Sequence, residues 1–164
     1  MNDAVEVRPV DFDEPTDVAH YLAMLDRYAR DPMGAGRALP ESVKTQLPRD
    51  LAANPAAHCL IALERGQAVG FATCFVGYST FRARPLLNLH DIAVIPAARG
   101  RGIGAAVLEA VAELAHRLDC CKMTLEVRSD NAAAQRVYER AGFVSAGCDR
   151  FMEKELPAAS KASV

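Results

Sequence analysis

The stretch Asn88-Leu-His-Asp-Ile-Ala-Val-Ile-Pro-Ala-Ala-Arg-Gly-Arg-Gly-Ile-Gly104 constrains the fold more than any other part of the chain. It reads as a strand, a proline, a basic glycine loop and then, at once, the start of a helix. A strand that feeds a helix this directly demands a parallel strand afterwards. The crossover from Leu86 to Arg128 is therefore expected to be right-handed. The loop has the chemistry of an anion seat, because backbone N–H groups collect at a helix N-terminus where the dipole favours negative charge. Gly102 and Gly104 let the backbone approach a ligand closely, and Arg99 and Arg101 add positive charge beside it.

The remaining patterns assemble around that unit as one domain over residues 1–156. Residues 4–10 read as a short strand ending at Pro9. Thr16 or Asp17 is placed to cap a helix to Arg30, whose apolar face carries Val18, Leu22, Leu25 and Ala29. A second helix over 41–53 is expected to be interrupted at Pro48. His58–Glu64 and Ala68–Tyr78 flank Arg65-Gly66-Gln67 as a hairpin, and Leu86–Ile95 forms the next strand. Ile103, Val107, Val111, Leu114 and Leu118 make the apolar stripe of the clearest helix. Cys121–Arg128 follows as a strand, and Asp130 or Asn131 caps a helix ending near Gly142. Residues 143–147 and 150–156 are read as two closing strands, and 157–164 as a disordered tail.

Composition excludes several function classes. The net charge of −2 does not suggest a generally basic nucleic-acid-binding domain. No run approaches the roughly 18 apolar residues that span a membrane, and no secretory signal is visible at the N-terminus. The five cysteines lack a C-x-x-C pair, so reduced thiols in a cytoplasmic protein are expected rather than a disulfide framework or a zinc site.

Three readings compete for the loop. It is a bare helix-entry turn, a dinucleotide site, or an acyl-CoA site. Gly100-x-Gly102-x-x-Ala105 fits the loose dinucleotide pattern, but residues 95–99 intervene after the strand, where that motif follows directly. A P-loop is excluded because no Gly-Lys-Ser/Thr follows. The third reading uses more of the chain. Arg99-x-x-Gly102-x-Gly104 resembles the acyl-CoA signature of the GNAT superfamily, the GCN5-related N-acetyltransferases. Asn131-Ala-Ala-Ala-Gln-Arg-Val-Tyr138-Glu-Arg-Ala-Gly142-Phe143 resembles that family's next block. The order of strands and helices matches from about Val5 to Leu156.

Within the superfamily the chain looks nearest to small-molecule amine acetyltransferases of the polyamine type. Gly70-Phe-Ala, Phe75–Phe81, Leu87-x-Leu89-x-Asp91 and Arg99–Gly104 follow that pattern. It departs where His90 stands in the place of a Glu, and in the region 17–54, which shows no acidic cluster for a polyamine.

The resemblance implies an α/β GNAT fold: a mixed central sheet of about six to seven strands flanked by about four helices, with a splayed parallel strand pair at the cofactor site. It implies acetyl-CoA as cosubstrate, no metal, and acetyl transfer to a primary amine of a small molecule by direct attack through a tetrahedral intermediate. A protein or peptide amine acceptor, or a non-catalytic acyl-CoA-binding module, are the alternatives. Cofactor contacts would come from Ile92, Ala93, Val94, Arg99, Gly100, Arg101, Gly102, Ile103, Gly104, Ala105, Asn131 and Tyr138. A backbone N–H near Ile92 or Ala93 would hold the oxyanion. Tyr138 is the candidate acid for the departing thiolate. His90 is the candidate base, since an imidazole suits proton acceptance near neutral pH. Strand alternation puts His90 and Asp91 on opposite faces, so one of them is expected at the substrate. His90, Glu126 and Tyr78 are the candidate acceptor contacts. Glu126 is either a partner for a cationic amine or a solvated strand residue, and Arg82 and Arg84 are placed to attract a carboxylate. A homodimer is common in the family, and neither membrane nor nucleic acid is expected as a partner.

Overall fold

A mixed sheet divides the molecule into two helical layers. The computed structural model describes residues 5–147 and 152–156. Among these, five strands run in the spatial order β1-β2-β3-β4-β5. They are β1 (Glu6–Pro9), β2 (Ala57–Glu64), β3 (Gln67–Ser79), β4 (Arg84–Val94) and β5 (Met123–Leu125). The first four pair antiparallel, and β5 pairs parallel to β4. Helices α1 (Pro15–Arg30) and α2 (Glu41–Ala53) cover one face. Helices α3 (Ile103–Arg117) and α4 (Ala132–Arg140) belong to the other.

The α3 stripe fits the crossover. Ile103, Val107, Val111 and Leu114 are buried and pack with Leu60, Ala72, Cys74, Leu87 and Leu89 of the sheet. Each such aliphatic side chain contributes roughly 1.5–3 kcal/mol of burial. On the opposite face Tyr21 and Met24 of α1 pack on Cys59 and Phe71. The β2–β3 hairpin turns on Arg65 (φ 51°) and Gly66 (φ 74°), the pair of positive φ angles that a type I′ turn requires.

Four local expectations change. Helix α1 starts at Pro15, and Asp17 is buried rather than capping. Its carboxylate accepts from the Arg8 guanidinium at 2.5 and 2.8 Å and from the Asp11 N–H at 2.9 Å. The Arg8 hydrogen bonds hold the Asp17 carboxyl down to about 2. Helix α2 runs through Pro48 without ending there; the proline costs one backbone bond but not the span. Strand β5 is three residues long, not eight, because its partner β4 stops pairing with it at Leu89. Residues 143–147 and 152–156 form no strand, and residues 150–151 lie outside the described residues, as does the tail 157–164. So short a β5 offers little edge to template further strands, and Val144, Met152 and Leu156 stay exposed. The sheet is accordingly smaller than expected, while the four helices and the parallel β4–β5 pair match.

Candidate active site

Strand β4 changes phase in its middle. Thr73 of β3 lies opposite Asp91, but the next residue, Cys74, lies opposite Leu89. His90 is therefore an extra residue, a β-bulge. In such a bulge two consecutive side chains share one side of the sheet. Leu87 and Leu89 before it, and Ile92 after it, all pack toward α3. Ala93 packs toward α1. His90 meets Phe75 of the α1-side core edge to face, with ring centroids 5.4 Å apart. Asp91 lies opposite Thr73 in the register, and the Thr73 hydroxyl meets that of Tyr21 of α1 at 2.8 Å. His90 and Asp91 thus both face the α1 layer, contrary to simple alternation.

The bulge coincides with the point where the parallel pair opens. Leu87, Leu89 and the residue between them pair with β5, and Ile92, Ala93 and Val94 have no β5 partner. The Ile95 N–H donates to Val69 of β3. By alternation Ala93 also turns toward β3, and Ile92 and Val94 present their backbone groups to the gap. A cavity of about 750 Å³ occupies this opening, lined by Ile92, Ala93 and Val94 along one wall.

One end of the cavity is the glycine loop. Gly102 has a φ of 83° and forms the N-cap of α3. The first intrahelical bond runs from Ala106 to Gly102, which leaves the N–H groups of Ile103, Gly104 and Ala105 without helical partners. A Cβ at Gly100 or Gly102 would meet nothing within 4 Å in the protein, so the space beside the loop is open to a ligand. These features suit a pyrophosphate. Of the expected cofactor contacts, Arg99, Gly100, Gly102, Ile103, Gly104, Ala105, Asn131 and Tyr138 join the β4 residues around the cavity. Arg101 is the exception: its guanidinium turns away to pair with Glu64. Arg99 donates to the Val94 carbonyl at 3.1 Å and lies 3.6 Å from the Asp31 carboxylate.

Helix α4 forms the wall opposite β4. Asn131 caps it, accepting from the Ala134 N–H at 3.2 Å. Tyr138 lines the cavity and meets Phe143 at 6.0 Å between ring centroids. Burial, with a smaller contribution from Tyr28, pushes the Tyr138 phenol up to about 12. It therefore keeps its proton at neutral pH and is available as a donor.

The remaining candidates are spread more widely. Glu126 is exposed, one residue beyond the end of β5. Tyr78 is 62% exposed. It shares strand phase with Val76, which packs toward α3, so it lies on the sheet face opposite His90. Arg82 donates to the Cys121 carbonyl, and Arg84 pairs with Asp119 at 2.6 Å. Both arginines brace the β3–β4 hairpin against the α3–β5 turn instead of standing ready for a carboxylate.

Among the cavity residues that sequence reasoning did not single out are Tyr28, Asp31 and Met33 at the end of α1. Residues 31–36 were legible only as a helix break. Gly34 explains why they reach the site. A Cβ there would lie 2.2 Å from the Tyr28 carbonyl oxygen, so only glycine lets the chain fold back over the end of α1. The bulge did leave a signal. Apolar residues recur at 87 and 89 and then at 92 and 94, a period of two with one residue inserted.

Comparison with known proteins gives a consistent result. The family model described as "Acetyltransferase (GNAT) family" matches residues 21–143. A streptothricin acetyltransferase from Streptomyces lavendulae is 38% identical over 84 residues, covering 51% of this chain and 42% of that protein. A thialysine N-epsilon-acetyltransferase from Mus musculus is 34% identical over 97 residues, covering 54% and 56%. The chain thus spans about half the length of the curated relatives it matches. Among solved structures, AAC(6')-Iy in complex with the bisubstrate analogue CoA-S-monomethyl-acetylneamine superposes with a TM-score of 0.78 at 20% identity. That match covers 93% of this chain and 99% of that one, and at this identity the likeness is one of fold.

Proposed function

Because this chain belongs to the acetyltransferase (GNAT) family, we propose that it moves an acetyl group from acetyl-CoA to a primary amine of a small molecule. The observation that carries this reading is the opening of β4 from β5 beside the α3 N-terminus, with Tyr138 on the facing wall. The likeness to a streptothricin acetyltransferase and a thialysine N-epsilon-acetyltransferase supports a small-molecule amine as acceptor.

Acetyl-CoA, when bound, supplies an electrophilic thioester carbonyl. The chain's own groups do the rest. The free N–H groups at Ile103, Gly104 and Ala105 hold the pyrophosphate, and Arg99 reinforces them. The Ile92 N–H, turned into the gap, donates to the carbonyl oxygen as negative charge develops there. His90 takes the proton that the attacking nitrogen must lose, since an alkyl ammonium with a pKa of about 10 has no lone pair. The C–N bond forms as the C–S bond breaks, and the Tyr138 O–H donates to the departing sulfur. A phenol near 12 is a weaker acid than a thiol near 8.5. Full proton transfer to the sulfur is therefore uphill, and the contribution of Tyr138 is mainly a hydrogen bond to the thiolate.

Direct transfer is favoured over a covalent enzyme intermediate. Burial pushes the Cys59 thiol up to about 11 and the Cys74 thiol up to about 12. None of the four described cysteines lines the cavity. Calorimetric titration with acetyl-CoA, with NAD as control, tests the cofactor, and release of free CoA thiol across a panel of amines tests turnover. Micromolar binding of acetyl-CoA alone is expected. A preference for NAD would overturn the reading together with the roles of Tyr138 and His90.

A further inference from the structure

The two arginines of the glycine loop are held in different ways. Arg101 makes two hydrogen bonds to the Glu64 carboxylate and does not line the cavity. Arg99 does line it, and so does its partner Asp31. The Arg99 Nη2 and Asp31 Oδ2 atoms stand 3.6 Å apart, outside the roughly 2.7–3.2 Å range of an N–H···O hydrogen bond. What anchors Arg99 is its Nε, which donates to the Val94 carbonyl at 3.1 Å. That bond fixes the root of the guanidinium fork while its tips can change partner.

Asp31 is fixed from its own side. It ends α1 as the C-cap, and its Oδ1 accepts from the Met33 N–H at 2.9 Å. The fold-back at Gly34 holds the same segment against the Tyr28 carbonyl. The chain therefore sets a carboxylate at the rim of a seat built for an anion. Two negative groups, this carboxylate and a cofactor phosphate, compete for one cation. The existing pair is largely exposed, at 57% for the Arg99 side chain and 31% for that of Asp31, and such pairs contribute little. A phosphate makes charge-assisted, bidentate hydrogen bonds with a guanidinium, which are the stronger kind. The phosphate wins the exchange.

We propose that Asp31 is a displaceable counter-ion for the cofactor: it holds Arg99 in the free enzyme, yields it to a phosphate of acetyl-CoA, and reclaims it as CoA leaves. Asp31 is then a positioning residue that lowers the affinity for substrate and product alike and eases product release. The fold provides for the exchange. A second cavity of about 40 Å³ lies beside the pair, lined by Arg27 and Tyr28 together with Asp31 and Arg99. It gives the released carboxylate space to turn into, with another guanidinium on its wall. This inference rests on the acetyltransferase reading above.

The test titrates wild type, Asp31→Asn, Arg99→Gln and the double variant with acetyl-CoA and with CoA by calorimetry. Asparagine keeps an oxygen for the Met33 N–H, so the fold-back is preserved. Asp31→Asn should bind both ligands about three- to fivefold more tightly, the size of effect that an exposed ion pair releases. The factor should be the same for both, because they carry the same phosphates. Arg99→Gln should weaken binding. Adding Asp31→Asn to it should change affinity by less than about twofold, since no guanidinium remains to be released. Unchanged or weaker binding by Asp31→Asn overturns the inference. Equal tightening in the Arg99→Gln background also overturns it, since Asp31 would then act by plain charge repulsion. Failure of wild type to bind acetyl-CoA overturns the acetyltransferase reading itself.

Discussion

Helices α3 and α4 line the same cavity from two sides, yet they are held in different ways. Helix α3 buries Ile103, Val107, Leu108, Val111, Leu114 and Ala115 against the sheet. Helix α4 buries no side chain completely. It is tied by its Asn131 cap, by Gln135 bonding back to the carbonyls of Arg128 and Ser129, and by the contact of Tyr138 with Phe143. Its apolar side chains Ala134, Val137 and Tyr138 line the cavity, and Val137 and Tyr138 pack against the main core only from its margin, partly buried. The wall that carries the anion seat is thus built by the core. The wall that carries the candidate acid has space where a core would be.

This contrast can be broken by truncation on each side. Leu114→Ala should cost about 2–5 kcal/mol in a urea melt, because it leaves a cavity in the main core. Val137→Ala should cost less than about 1 kcal/mol, because Val137 is only partly buried and borders the cavity. Equal losses would mean that α4 is as firmly packed as α3. The next effect is on chemistry rather than stability. Tyr138→Phe should lower kcat about 10²-fold and leave the urea midpoint and the affinity for acetyl-CoA nearly unchanged. A variant with full kcat would leave α4 as a wall only. The smallest effect sharpens the comparison. Saturating acetyl-CoA should slow amide hydrogen exchange in residues 132–140 more than in 107–117, since the ligand supplies contacts that α3 already has. Greater slowing in α3 would reverse the assignment of which wall depends on the ligand.

The sequence made the two blocks of the site legible for local reasons. A glycine loop before an apolar stripe, and an asparagine before a helix that ends at Gly142, are written in neighbouring residues. The observed α3, the Asn131 cap and the Gly142 φ of 90° follow from those neighbours. What escaped depends on distant partners. The pairing of Arg101 with Glu64 joins the glycine loop to the far end of β2, and no local pattern announces it. Asp31 and Met33 reach the cavity through the fold-back at Gly34, a contact that a turn signal does not specify. The shared face of His90 and Asp91 was missed because alternation was assumed across a residue where the register slips. The two strands expected over 143–147 and 150–156 are absent from 143–147 and 152–156, and the β5 edge they would extend is only three residues long.

The slip at His90 separates two requirements that are usually entangled. If position 90 were deleted, Leu87, Leu89, Ile92 and Val94 would fall into one uninterrupted phase, all toward α3, with Asp91 and Ala93 toward α1. The hydrophobic frame of the strand therefore has no use for this residue. A chain shortened by that single codon should fold with its core in register and keep the α3 packing intact, while lacking the imidazole and the kink that aims it. The local backbone irregularity is an insertion outside the strand's apolar register, and it is what brings His90 and Asp91 onto one face.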